Sequence, residues 1–77
     1  MRYHLKFEAG RIWTLPIQAT DRRSAISHSG YEFEAVIARM DLQTARCELQ
    51  GAEGPVGCWD YERRREPELR WSPAGNL

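Results

Sequence analysis

No stretch of this sequence approaches the ~20 consecutive apolar residues that cross a bilayer. The first six residues, Met1-Arg2-Tyr3-His4-Leu5-Lys6, alternate and do not form the apolar heart of a secretory leader. A cytoplasmic protein with no membrane role is therefore expected. Net charge is missing too, because eleven basic side chains balance eleven acidic ones. Proteins that hold nucleic acid non-specifically carry a basic excess, since their affinity comes from neutralising phosphates. Nucleic-acid binding here would need strong local asymmetry. Lysine is almost absent: Lys6 stands alone beside the arginines that make up the rest of the eleven. The codon bias of a GC-rich bacterial or phage genome explains that skew. So does a demand for guanidinium groups, which pair bidentately with carboxylates and stack on aromatic rings.

Metal-binding and catalytic patterns are also lacking. The Cys and His residues are Cys47, Cys58, His4 and His28, with no Cys-x-x-Cys or His-x-x-x-His pair, so neither zinc nor any other cofactor is expected. No local motif joins a nucleophile to a base and an orienting group. Gly51, Gly54 and Gly57 lack the Lys-Ser/Thr ending of a phosphate cradle. A non-enzymatic protein is expected. In a reducing cytosol the two cysteines read as free, partly buried thiols, with a disulfide open if their strands are neighbours.

What the sequence does hold is period-two alternation and aromatic rings. Tyr3, Leu5 and Phe7 alternate with Arg2, His4, Lys6 and Glu8, the pattern of a strand with one wet face. Ala9-Gly10 reads as a turn, and Trp13, Leu15 and Ile17 continue in phase. Pro16 places that second strand at an edge or ends it there. Residues 18–30 are small and polar, a loop or a single helical turn capped by Thr20 or Asp21 and closed by Gly30.

Residues 31–50 contain neither Gly nor Pro and support two readings. As a helix, Ser29-Gly30-Tyr31-Glu32 caps the start, Gly51 stops it, and Phe33, Ile37, Met40 and Cys47 share a face. As a hairpin, Tyr31 to Ile37 alternates, Asp41-Leu42-Gln43-Thr44 turns, and Arg46 to Leu49 returns. The hairpin leads because its flanks read as β. Gly51 to Gly57 reads as a loop, Cys58 to Arg63 as a strand, Arg64 to Pro67 as a turn, Glu68 to Trp71 as a last strand, and 72–77 as a frayed tail. The expected fold is one small mainly-β domain over 1–77, an antiparallel sheet or barrel of hairpins. The alternative is α+β, with one helix at about 31–50 packed on an antiparallel sheet.

Asp60 to Glu68 is the most distinctive stretch. Arg63, Arg64 and Arg65 form a basic tip beside Trp59, Tyr61 and Trp71, residue types enriched in interface hot spots and suited to single-stranded nucleic acid. The neighbouring carboxylates offer a plainer account, a solvated hairpin. Glu32 and Glu34 share a wet face if 31–40 is a strand. These eight residues are the candidate binding set.

Taken with the arginine bias, the charged tips at Glu32/Glu34 and Arg63-Arg64-Arg65 on a short chain without an enzyme motif resemble the small inhibitors that phages encode against bacterial defence, the anti-CRISPR proteins. Members of that class share no common fold. The resemblance implies a module that covers a host protein or ribonucleoprotein surface and blocks access to it. The rival readings are a small β-barrel nucleic-acid binder and a structural subunit that self-associates, as a homodimer, through an edge strand.

Overall fold

The computed structural model describes residues 2–9 and 11–74. Five strands and one helix follow in the order β1 (Arg2–Ala9), β2 (Arg11–Gln18), α1 (Arg22–Met40), β3 (Thr44–Gly51), β4 (Gly54–Glu62) and β5 (Glu68–Pro73). The strands form one antiparallel sheet in the order β2-β1-β3-β4-β5. The fold is mainly β, as expected, and it is an open sheet.

The register assigns every strand residue to a face, because directly opposed residues project the same way. Leu5 lies opposite Leu15 and Leu49, Phe7 opposite Trp13 and Cys47, Cys47 opposite Trp59, and Trp59 opposite Trp71. That row is the inner face, and α1 packs on it. Tyr3, Leu5, Phe7, Ile17, Cys47, Leu49 and Val56 bury there with Ala25, Phe33, Val36 and Ile37 of the helix. Phe7 stacks on Trp13 at 4.2 Å between ring centroids and tilts against Phe33 at 6.2 Å. The intervening residues form the outer face, which no element covers among the described residues.

Two expectations for the middle of the chain are corrected. Residues 22–40 are helix, so neither a loop at 18–30 nor a strand at 31–37 exists; the helix of the alternative reading is present over 31–40, but it starts at Arg22 and stops at Met40, short of residue 50. Asp21 caps the start by accepting from the Ser24 backbone N–H at 2.8 Å, which also lowers its carboxyl pKa below the usual range. Gly30 falls inside the helix and does not close it. A Cβ there would lie 3.0 Å from Trp59 Cζ2, so the missing side chain lets the indole pack against the helix backbone. The stop comes at Asp41, left-handed at φ 52°, whose backbone N–H returns to the Ile37 carbonyl. The Asp41–Thr44 segment then turns the chain into β3, as the hairpin reading expected.

Gly51 to Gly57 is also corrected from loop to hairpin. Only Ala52-Glu53 turns, between Gly51 and a Gly54 that takes φ 120°, and a register shift beyond Leu49 absorbs the extra residue. Ser72 and Pro73 belong to β5, and the Ala74 N–H donates to the Val56 carbonyl at 3.0 Å, so the expected frayed tail is corrected over 72–74, while 75–77 lie outside the described residues. The expected Ala9-Gly10 turn lies outside the described residues at Gly10. Among the described residues no helix is long and apolar enough to cross a membrane.

Gly57 is the tightest point of the sheet. A Cβ there would stand 2.5 Å from Trp71 Cζ2 and 2.6 Å from the Ser72 carbonyl oxygen. Gly57→Ala is expected to destabilise the fold by about 1–3 kcal/mol, as overpacking does. Urea denaturation followed by circular dichroism reads this out, and an unchanged midpoint would contradict the packing described.

Candidate protein-interaction surface

The eight candidate residues do not form one cluster. Trp59, Tyr61 and Trp71 lie on the inner face. Trp59 donates its indole N–H to Ser29 Oγ at 2.8 Å, Ser29 donates on to the Ile26 carbonyl at 2.7 Å, and Trp71 packs on Trp59 at 5.1 Å between centroids. All three are half-buried, members of the core's rim. Glu32 and Glu34 sit on α1 and do not share a face, since residues two apart on a helix diverge by about 200°. Glu32 faces His28 at 3.8 Å, and His28 Nδ1 lies 3.2 Å from the Gln18 carbonyl oxygen. Glu34 is exposed.

The three consecutive arginines separate as well. Arg63 follows the inner-face phase of Tyr61 and reaches Asp41 at the end of α1 at 2.7 Å, while its backbone N–H donates to the Gln43 carbonyl at 2.8 Å. The hydrogen bond to Asp41, then one involving Tyr61, holds its guanidinium above the usual range. Arg63 therefore ties the β4 end to the helix terminus. Arg64 takes the outer phase and donates to Glu62 at 2.9 Å. Arg65 is exposed at the loop tip, without an ion pair among the described residues.

Sequence reasoning missed the residues that Arg64 joins. On the outer face a shallow depression of about 460 Å³ is lined by Arg46, Arg64 and Arg70 together with Glu8, Thr44, Ala45, Asp60, Tyr61, Glu62 and Glu68. Each arginine has its own carboxylate: Arg46–Asp60 at 3.7 Å, Arg64–Glu62, and Arg70–Glu68 at 3.1 Å. Arg46 also donates to Cys58 Sγ at 3.4 Å. Next to it His4 donates to Gln50 Oε1 at 2.7 Å, and Gln50 donates to Glu48. The signal for this site was the alternation itself, continued across four strands, and not any run of neighbours along the chain.

Register sends the strand aromatics to the inner face, and among the described residues Tyr61 alone also borders the depression, so bases would find no row of rings to stack on beside these arginines. Among the described residues no group of three or more His, Cys, Asp or Glu could hold a metal ion. The thiols project to opposite faces, Cys47 inward and Cys58 outward, and both are free. No family model, curated protein or solved structure matches the chain.

Burial pushes the Cys47 thiol from its ordinary 9.0 up to about 12, more than the Trp59 backbone hydrogen bond lowers it. Between those values the folded state holds a proton that the unfolded state has lost. Stability is therefore intact below pH 9.0 and falls as pH rises toward about 12. The slope approaches ~1.4 kcal/mol per pH unit. A thiol reagent is expected to label Cys58 in the native protein and both cysteines in urea. Fast native labelling of Cys47 would contradict the burial.

Proposed function

We propose that this chain is a non-enzymatic protein-interaction module that acts by occupying a partner's surface. The observation that carries the reading is the row of guanidiniums on the uncovered sheet face, each oriented by a carboxylate of the same sheet or its loop. A side chain already held in place loses less rotamer freedom on binding, and mixed charges give orientation and on-rate. Rigid strands carry the row, so the pattern is presented as a fixed array.

The specific version we propose is an inhibitor of the phage or mobile-element type, anti-CRISPR-like, that covers a host protein or ribonucleoprotein surface. Steric coverage asks nothing of the covering protein but shape and charge. The alternative, binding nucleic acid, is less favoured because the aromatic rings and the arginine row occupy opposite faces.

Capture from a bacterial lysate with the tagged chain, with and without nuclease, tests the reading. A stoichiometric protein that survives nuclease is expected. Joint replacement Arg64→Ser, Arg65→Ser is expected to weaken its capture about tenfold while leaving the fold intact, the effect of losing charges that contact a partner. Captured nucleic acid with no stoichiometric protein would overturn the proposal, as would binding unchanged by the double replacement.

A further inference from the structure

Two backbone hydrogen bonds determine which way the exposed strand β5 points its polar groups. The Arg63 N–H donates to Gln43, on the β3 side, and the Ala74 N–H donates to Val56 in β4. Ladder bonds alternate along antiparallel strands. In the register of β4 and β5, Glu68, Arg70 and Ser72 therefore bond inward to Glu62, Asp60 and Cys58. The N–H groups of Leu69 and Trp71 point outward from the sheet, as does the Pro67 carbonyl, which is anti to the inward N–H of Glu68. Pro73 has no N–H to present at that edge. The same alternation carried across the sheet points Pro16 of β2 outward, so the opposite edge lacks one donor, between those of Thr14 and Gln18. β5 is thus left with two outward donors between prolines, a short edge of fixed extent.

We propose that β5 pairs antiparallel with β5 of a second copy of this chain, in the register that sets Leu69 opposite the partner's Leu69. Three registers of equal face satisfy the outward donors. One opposes Arg70 to the partner's Arg70, which like-charge repulsion disfavours. Another opposes Arg70 to the partner's Ser72. The Leu69-centred register alone opposes Glu68 to the partner's Arg70, twice by symmetry, and sends the Trp71 N–H to the partner's Pro67 carbonyl. It also joins half-buried Leu69 to its symmetry mate on the apolar side of the sheet. The contact is isologous and uses up β5, and Pro16 blunts β2, so the assembly closes as a dimer and does not run on as a fibre. The partner's Arg70 then borders the outer-face depression, which the two copies share. This inference stands apart from the functional reading, since it concerns only how the chain pairs with itself.

Sedimentation equilibrium over a concentration series tests it. The mass is expected to rise from 9.0 kDa to twice that value. Leu69→Pro removes an outward donor without touching the β4 ladder and is expected to abolish the rise. Arg70→Glu is expected to raise the dimer dissociation constant about tenfold, and the double variant Glu68→Arg, Arg70→Glu is expected to restore it. Circular dichroism verifies that each variant is folded, and the charge exchange decides the matter if Leu69→Pro is not. A wild-type mass that stays monomeric throughout overturns the proposal, as does a dimer indifferent to Arg70→Glu.

Discussion

A chain this short has one helix with which to cover a five-stranded sheet, and the contact on which that covering turns is the Trp59 indole beneath α1. The ring lies against Gly30 while its N–H reaches Ser29. The small residues on the helix and the large one on the sheet interlock. A larger residue at position 30 would lift the helix away from the sheet, and the Phe33 and Ile37 contacts with it. A buried indole N–H without an acceptor would carry a desolvation cost of ~1–3 kcal/mol, which the Ser29 hydroxyl removes.

The division of labour between the two faces follows from this arrangement. The helix covers one face, so apolar residues collect there, down to a rim of Trp59, Tyr61, Leu69 and Trp71 at the side nearest β5. The other face has no cover and must be stable in water. It is built from charged residues of both signs: Arg46 pairs with Asp60 across strands, while Arg64 pairs with Glu62 and Arg70 with Glu68 along the chain, and each carboxylate orients its guanidinium. The same charged pairs are the ones on which the proposed interaction rests.

The strands were legible in the sequence because their alternation is local. Tyr3, Leu5 and Phe7 display it without ambiguity, and so do Trp59 and Tyr61. The helix was hidden for a physical reason. Its first half presents Ala25, Ser29 and Gly30 to the sheet, small residues that leave no apolar stripe, because Trp59 fills the space from the other side. With half its period invisible, the remaining Phe33 and Ile37, four apart, fitted one face of a strand as well as one face of a helix. The candidate site was legible only in part. Arg64 was found from its run of arginines, but Arg46, Asp60 and Arg70 come together through registers that no single segment contains. Grouping Trp59, Tyr61 and Trp71 with Arg64 overlooked parity: residues of opposite phase on one strand face opposite sides, and only Arg63 keeps the phase of Tyr61.

The topology also gives the two ends of the chain unequal standing. β1 is made first yet lies inside the sheet, flanked by β2 and β3, and its pairing with β3 joins Phe7 to Cys47 across the whole helix. A nascent chain that has emerged only through α1 holds Leu5 and Phe7 on a strand with one side unpaired, and it cannot finish its core until β3 arrives. Closing so long a loop is the slow step in such folds. β5, by contrast, is bonded on one side only and can detach without disturbing any contact of β1. The C-terminal strand is thus an outer addition to a sheet whose central contacts, Leu5 with Leu49 and Phe7 with Cys47, do not involve it.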